Sequence, residues 1–320
     1  MAPTDYFSRL KSKILGATEV PVKPAMNTST ATVLLIAYSF IYVLPFYISS
    51  TTRPSPNLSR DAPSVIRGRI ASVTTSCIMC SIFTFVILCT VVENGTVIQA
   101  LHAMGWFPIG IVETAKALGL TAVGFLGPIF EAGIVQGKWR DWIRLRGLDT
   151  LNGWIGYRNI VAGPVTEEIL FRSASVPLLL LAHTSNKTTI FLTPIIFGLA
   201  HVHHFYEFRV THPHTPVLAA LLRSLLQFSY TTLFGGYATF LYLRTGSLLS
   251  VILVHAFCNW QELPRFWGRL TYDGDTVIEP DVGDKKRWTF AYYALLVIGA
   301  AGFYKLLWVW TESPSALVAF

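Results

Sequence analysis

The chain predicts an all-α fold that crosses a lipid bilayer about eight times. Three observations carry this. Hydrophobic residues make up 52% of the sequence and charged residues 13%, where a soluble domain carries roughly 25% charged residues; the mean hydropathy is +0.49. The apolar residues gather into runs that approach the roughly 20 residues a helix needs to cross the hydrocarbon core. One such run, Ile160 to Ala182, holds Glu167, Glu168 and Arg172. Charge in hydrocarbon is costly, so ionisable groups there face a partner, a water-filled cavity or a substrate. The run therefore reads as machinery rather than as an anchor.

The apolar runs lie at roughly 31–49, 70–92, 117–136, 159–182, 188–205, 217–243, 247–263 and 289–310. The first follows a basic segment, 1–30, which holds Arg9, Lys11, Lys13 and Lys23 and no apolar core, so it predicts a signal anchor rather than a cleaved leader. The second contains Cys77 and Cys80, and Cys89 and Cys258 also sit in apolar runs. All four read as small buried hydrophobes rather than a disulfide framework. Gly124, Gly127, Pro128 and the lone acid Glu131 make the third run a broken or irregular helix. The fourth, fifth and seventh carry the unusual polar residues. Together the runs form one membrane domain over 31–310, followed by a short tail, 311–320, that lacks a lipidation motif.

The formal charge of +7 lies in loops between apolar runs, a pattern of membrane topology and anionic headgroups rather than of nucleic-acid binding. Arg53, Arg60, Arg67, Arg69, Lys138, Arg140, Arg144, Arg146, Arg209, Arg265, Arg269, Lys285, Lys286 and Arg287 all fall in alternate loops. The positive-inside rule puts those loops in the cytosol and both termini in the lumen, although the basic N-terminal segment pulls the other way. In this orientation Glu167, His201, His255 and Asn259 converge in the cytosolic half of the membrane. The basic and tryptophan-rich stretch from Lys138 to Arg144 fits either an interfacial helix or an aromatic belt.

Glu167 and Glu168 are neighbours, about 100° apart on a helix, so they cannot do the same job. Glu168 and Arg172 share a face at i,i+4 spacing. The simplest division makes those two an ion pair and leaves Glu167 free to act as a general base; the competing reading is one buried ionic cluster that ties helices together. His201 lies deepest of three histidines at the end of the fifth run, with His203 and His204 nearer water. It suits positioning a water, binding a metal, or a plain core hydrogen bond. His255 and Asn259 lie four apart on one face. Both can donate to a developing oxyanion, each donor worth about 2.7–4 kcal/mol in a dry site, whereas an ordinary interhelical hydrogen bond in a membrane averages about 0.6 kcal/mol. The sequence has no His-Glu-x-x-His and no Gly-x-Ser-x-Gly, so water is the available nucleophile.

Glu167-Glu168-x-x-x-Arg172, Phe197-x-x-x-His201 and His255-x-x-x-Asn259 resemble the three motifs of the type II CAAX prenyl endopeptidases, within the wider CAAX protease and bacteriocin-processing membrane family. Phe234-Gly235-x-Tyr237 and Tyr242-Leu243-Arg244-Thr245-Gly246 are similar to the eukaryotic branch, and the likeness runs over roughly 155–262. It implies an intramembrane glutamate protease of the endoplasmic reticulum, with its site toward the cytosol. The expected reaction removes the C-terminal aaX tripeptide from prenylated CAAX proteins such as small GTPases. By motif match Glu167 would activate water, His201 would position it, and His255 with Asn259 would stabilise the oxyanion. Glu168, Arg172 and Phe197 would support the site, and no cofactor or metal is required. Two rivals stay open: a zinc protease that uses Glu167, His201 and His255 as ligands with Glu168 as base, and a non-catalytic membrane scaffold.

Overall fold

The computed structural model describes residues 24–91, 96–143, 151–270 and 282–320. Most of the basic N-terminal segment, Arg144, Arg146 and the middle of the loop 264–288 lie outside the described residues. Among the described residues all regular structure is helical. The helices that position the site are α1 (Thr28–Val43), α2 (Pro63–Val91), α3 (Ile111–Gly124), the interrupted run α4 (154–181), α5 (Asn186–Ala200), α6 (His203–Thr211), α7 (Val217–Thr245), α8 (Leu248–Gln261) and α9 (Val282–Trp310). The chain is an all-α, multi-pass membrane protein.

Among the described residues, five helical stretches are long and apolar enough to cross a bilayer: Thr28–Ile48, Pro63–Val91, Asn186–Thr211, Val217–Thr245 and Lys286–Trp310. A sixth crossing results if Ile111–Gly124 and Leu126–Val135, bent by 79° to each other, form one span. The bend falls where Gly124 and Gly127 weaken the helix and Pro128 removes a donor. The other two of the eight apolar runs, 159–182 and 247–263, are helical, but the first is interrupted and α8 has 14 residues.

α4 comprises Trp154–Tyr157, Gly163–Glu168 and Val176–Leu181, with π-helical turns at Arg158–Ala162 and Ile169–Ala174. The sequence explains both turns. Pro164 and Pro177 stand just after them, and proline lacks the N–H that would bond four residues back and crowds that carbonyl. The chain relieves this by widening the preceding turn. Ser175 Oγ donates to Leu170 O at 2.8 Å across the second wide turn.

α4 is the axis of the packing. Leu170, Phe171 and Ala174 share one buried cluster with Tyr42 of α1, Cys77 of α2 and Phe197 of α5. Val176 shares a second with Tyr242, Val251 and Val254 of α7 and α8. Large apolar side chains on the outer faces, such as Leu218, Leu222, Leu225, Phe290 and Val297, remain exposed. That outward belt suits hydrocarbon as solvent. The turn between α7 and α8 depends on Gly246, whose φ of +62° is left-handed. Ser247 then caps α8, its Oγ accepting from Ser250 N at 3.1 Å. This tight turn lays α8 back along α7 and brings His255 to α4.

Candidate active site

Glu167 and Glu168 occupy the short α-helical piece of α4 between its two wide turns, and their surroundings differ sharply. The Glu168 side chain is fully buried, whereas that of Glu167 is 21% exposed. Glu168 Oε1 accepts from Arg172 Nη1 at 3.0 Å and from His255 Nδ1 at 2.7 Å. Arg172, also buried, donates through Nη2 to Gly235 O at 3.2 Å and lies over the Phe197 ring at 4.9 Å. One fixed carboxylate thus ties α4 to α8, and one guanidinium ties α4 to α5 and α7.

The position of Gly235 makes this junction possible. A Cβ there would lie 2.9 Å from Pro194 Cβ and 3.2 Å from Arg172 Nη2. Only a bare backbone lets α7 come close enough for its carbonyl to accept from Arg172.

With Nδ1 donating to Glu168, the other His255 nitrogen turns to Glu167. His255 Nε2 lies 3.9 Å from Glu167 Oε2, within ion-pair reach but beyond a direct hydrogen bond. His201 is fixed in the same way, its Nδ1 donating to Phe197 O at 2.8 Å. Both rings therefore carry a proton on Nδ1, which in a neutral imidazole leaves Nε2 as acceptor. Asn259 Nδ2 donates to Asn159 O at 2.8 Å, joining α8 to the first wide turn of α4. Its amide carries two N–H groups, so one remains for another acceptor.

Glu167, His201, His255 and Asn259 line one cavity of about 1040 Å³. Four residues from three helices, separated by up to 92 positions of sequence, thus share one space. Phe234, Tyr237 and Phe303 give it apolar wall, and Arg60, Arg69 and Arg158 give it charged wall. Phe197 also lines the cavity, whereas Glu168 and Arg172 lie buried outside its lining. Sequence reading passed over Tyr42, Arg60, Arg158, Asn159 and Glu207. Arg60 lies in a loop, where basic residues read as topology, and nothing local marks Asn159, whose contribution is a backbone carbonyl.

Metal-ligand geometry occurs elsewhere. Among the described residues, His203, His204 and Glu207 bring ligand atoms within 4.8 Å of one another. Glu207 is already paired with Arg69 at 2.6 Å and lies 3.6 Å from Arg60, which opposes a further cation. The set Glu167, His201 and His255 does not converge in this way; His255 offers Glu168 its Nδ1 and reaches Glu167 only at 3.9 Å.

Comparison with known proteins adds an independent line. A family model described as Type II CAAX prenyl endopeptidase Rce1-like matches residues 150–261. A protein of Schizosaccharomyces pombe named "Probable CAAX prenyl protease 2" is 37% identical over 275 residues, 85% of this chain and 91% of its own length. CAAX prenyl protease 2 of Homo sapiens is 33% identical over 242 residues, 71% of this chain and 70% of its own. CAAX prenyl protease 2 of Arabidopsis thaliana is 46% identical over 108 residues, 34% of each chain. No solved structure matches the chain significantly.

Proposed function

Given that this chain belongs to the type II CAAX prenyl endopeptidase family, we propose that it hydrolyses prenylated CAAX proteins with a water activated by Glu167. The observation that carries the reading is the double use of Glu168 Oε1, which holds Arg172 and His255 so that His255 Nε2 meets Glu167 across a cavity. A fully buried Glu168 is committed to structure, and the partly exposed Glu167 is the carboxylate open to water.

The steps follow. Glu167 takes a proton from a water that His201 Nε2 orients. The hydroxide adds to the carbonyl carbon of the peptide bond after the prenylcysteine. Asn259 Nδ2 donates to the resulting oxyanion, as does His255 Nε2 when it carries a proton. Collapse breaks the C–N bond, and Glu167 returns its proton to the leaving amine. The products are a protein ending in prenylcysteine and a free aaX tripeptide. The apolar wall of Phe234, Tyr237 and Phe303 suits the prenyl chain.

In this reading the endopeptidase domain spans 31–310, with its motif core at 155–262, in the endoplasmic reticulum membrane with the cavity toward the cytosol. Prenylated small GTPases are the substrate class. The test is mass spectrometry of a farnesylated CAAX peptide incubated with membranes that carry the native chain or Glu167→Gln. Loss of the terminal tripeptide should fall by about 10²–10⁴-fold in the variant, the usual worth of a general base. Equal cleavage by both would move the base away from Glu167.

A further inference from the structure

The cavity has a second charged region, away from the two glutamates. Arg69 is fully committed there: it donates to Thr52 O at 3.0 and 2.8 Å and to Glu207 Oε1 at 2.6 Å. Arg158 donates to Asp61 Oδ1 at 2.7 Å and to Asn159 Oδ1 at 2.9 Å. The Arg60 guanidinium lies beside them, 3.6 Å from Glu207 Oε2 and 3.9 Å from Asp61 Oδ1, and makes no hydrogen bond to any described side chain or backbone group. Three guanidinium groups thus meet two carboxylates, which leaves one positive charge unmatched. Glu262 also lines the cavity but forms no ion pair with any of the three. The Arg60 side chain is 37% exposed, so its guanidinium is open to the cavity while Glu207 and Asp61 stand at ion-pair distance on one side.

We infer that Arg60, with Arg158 beside it, receives the C-terminal carboxylate of the substrate's aaX tail. This rests on the hydrolase reading above and adds the feature that measures the tail. A carboxylate would match the unpaired charge, and the planar guanidinium fork suits its two oxygens. The spacing fits as well. Arg158 precedes Glu167 by nine positions in α4, a stretch that includes the wide turn Arg158–Ala162 and so rises somewhat less than the about 13 Å of an unbroken α-helix. An extended tripeptide spans roughly 10 Å, and the arginine side chains reach over the remainder. A carboxylate held there sets the scissile bond at Glu167 only when three residues follow the prenylcysteine. Arg60 and Arg158 are therefore positioning residues, and the cavity is a ruler for tail length.

The test compares kcat and KM for farnesylated peptides that end in a free carboxylate, in a carboxamide, or one residue further on. The native chain should prefer the free tripeptide acid by about tenfold or more, mainly through KM. Arg60→Gln should bring the acid-to-amide ratio close to one, Arg158→Gln should lower it, and Arg60→Lys should restore part of it. Should Arg60→Gln not accumulate, Arg158→Gln and the native peptide series carry the test. Equal use of acid and amide by the native chain overturns the assignment, as does a ratio that the arginine variants leave untouched. Cleavage of no peptide by the native chain removes the hydrolase reading itself, and the assignment with it.

Discussion

His255 Nδ1 donates to Glu168 Oε1 at 2.7 Å across 87 positions of sequence, and the same oxygen accepts from Arg172. A single buried carboxylate thus sets the tautomer of one ring and neutralises one guanidinium. Removing a member has two separable consequences, one for the fold and one for the chemistry.

Arg172→Leu leaves Glu168 charged and buried with His255 as its remaining partner. Breaking a buried pair in this way costs about 3–5 kcal/mol, which unfolding in detergent should register. The double variant Glu168→Leu with Arg172→Leu should recover much of that stability. It should remain inactive, since His255 has lost the acceptor that orients it.

In the proposed reaction Asn259→Ala removes a donor from the oxyanion, while the Asn159 carbonyl it bonds stays near solvent. The expected loss is about 10²–10³ in kcat with little change in KM. Steady-state kinetics that show a change confined to KM would assign Asn259 to substrate binding instead.

Gly235→Ala places a methyl group 2.9 Å from Pro194 and 3.2 Å from the Arg172 guanidinium. Crowding of this kind costs about 1–3 kcal/mol. Activity should fall together with stability, because Arg172 must give way and Glu168 moves with it. Thermal unfolding beside the peptide assay checks the link.

Chelation separates the glutamate chemistry from the zinc alternative. With Glu167 as base, peptide cleavage should persist after dialysis against EDTA. Loss of activity that added zinc restores would make a bound metal part of the reaction.

Much of this site was legible in the sequence for one physical reason: charge inside an apolar run has to be accounted for. Glu167, Glu168, Arg172, His201 and His255 stand out against hydrocarbon, and the i,i+4 spacing of Glu168 and Arg172 puts them on one helix face. The bond from His255 to Glu168 was not legible, because it depends on how α8 folds back at Gly246. Arg60, Arg158 and Glu207 were hidden for the opposite reason. In loops and at helix ends charge is ordinary, and only the packing shows that it lines a cavity. The span at 159–182 reads as one uniform helix by hydropathy, a measure that sees neither the missing N–H of Pro164 nor that of Pro177. The third run was different, since Gly124, Gly127 and Pro128 announced its break.

The two wide turns of α4 give this helix something like a reading frame. Each is one residue longer than an α-turn, and the piece that holds Glu167 and Glu168 lies between them. Deleting a residue from the first turn would leave a good helix, yet it would rotate everything upstream by about 100° relative to the glutamates. Arg158 and the Asn159 carbonyl would swing out of line with the carboxylate they accompany. If Arg158 receives the tail carboxylate and Glu167 is the base, the helix would survive such a frameshift and the site would not, and the spacing between the two would matter as much as the residues themselves.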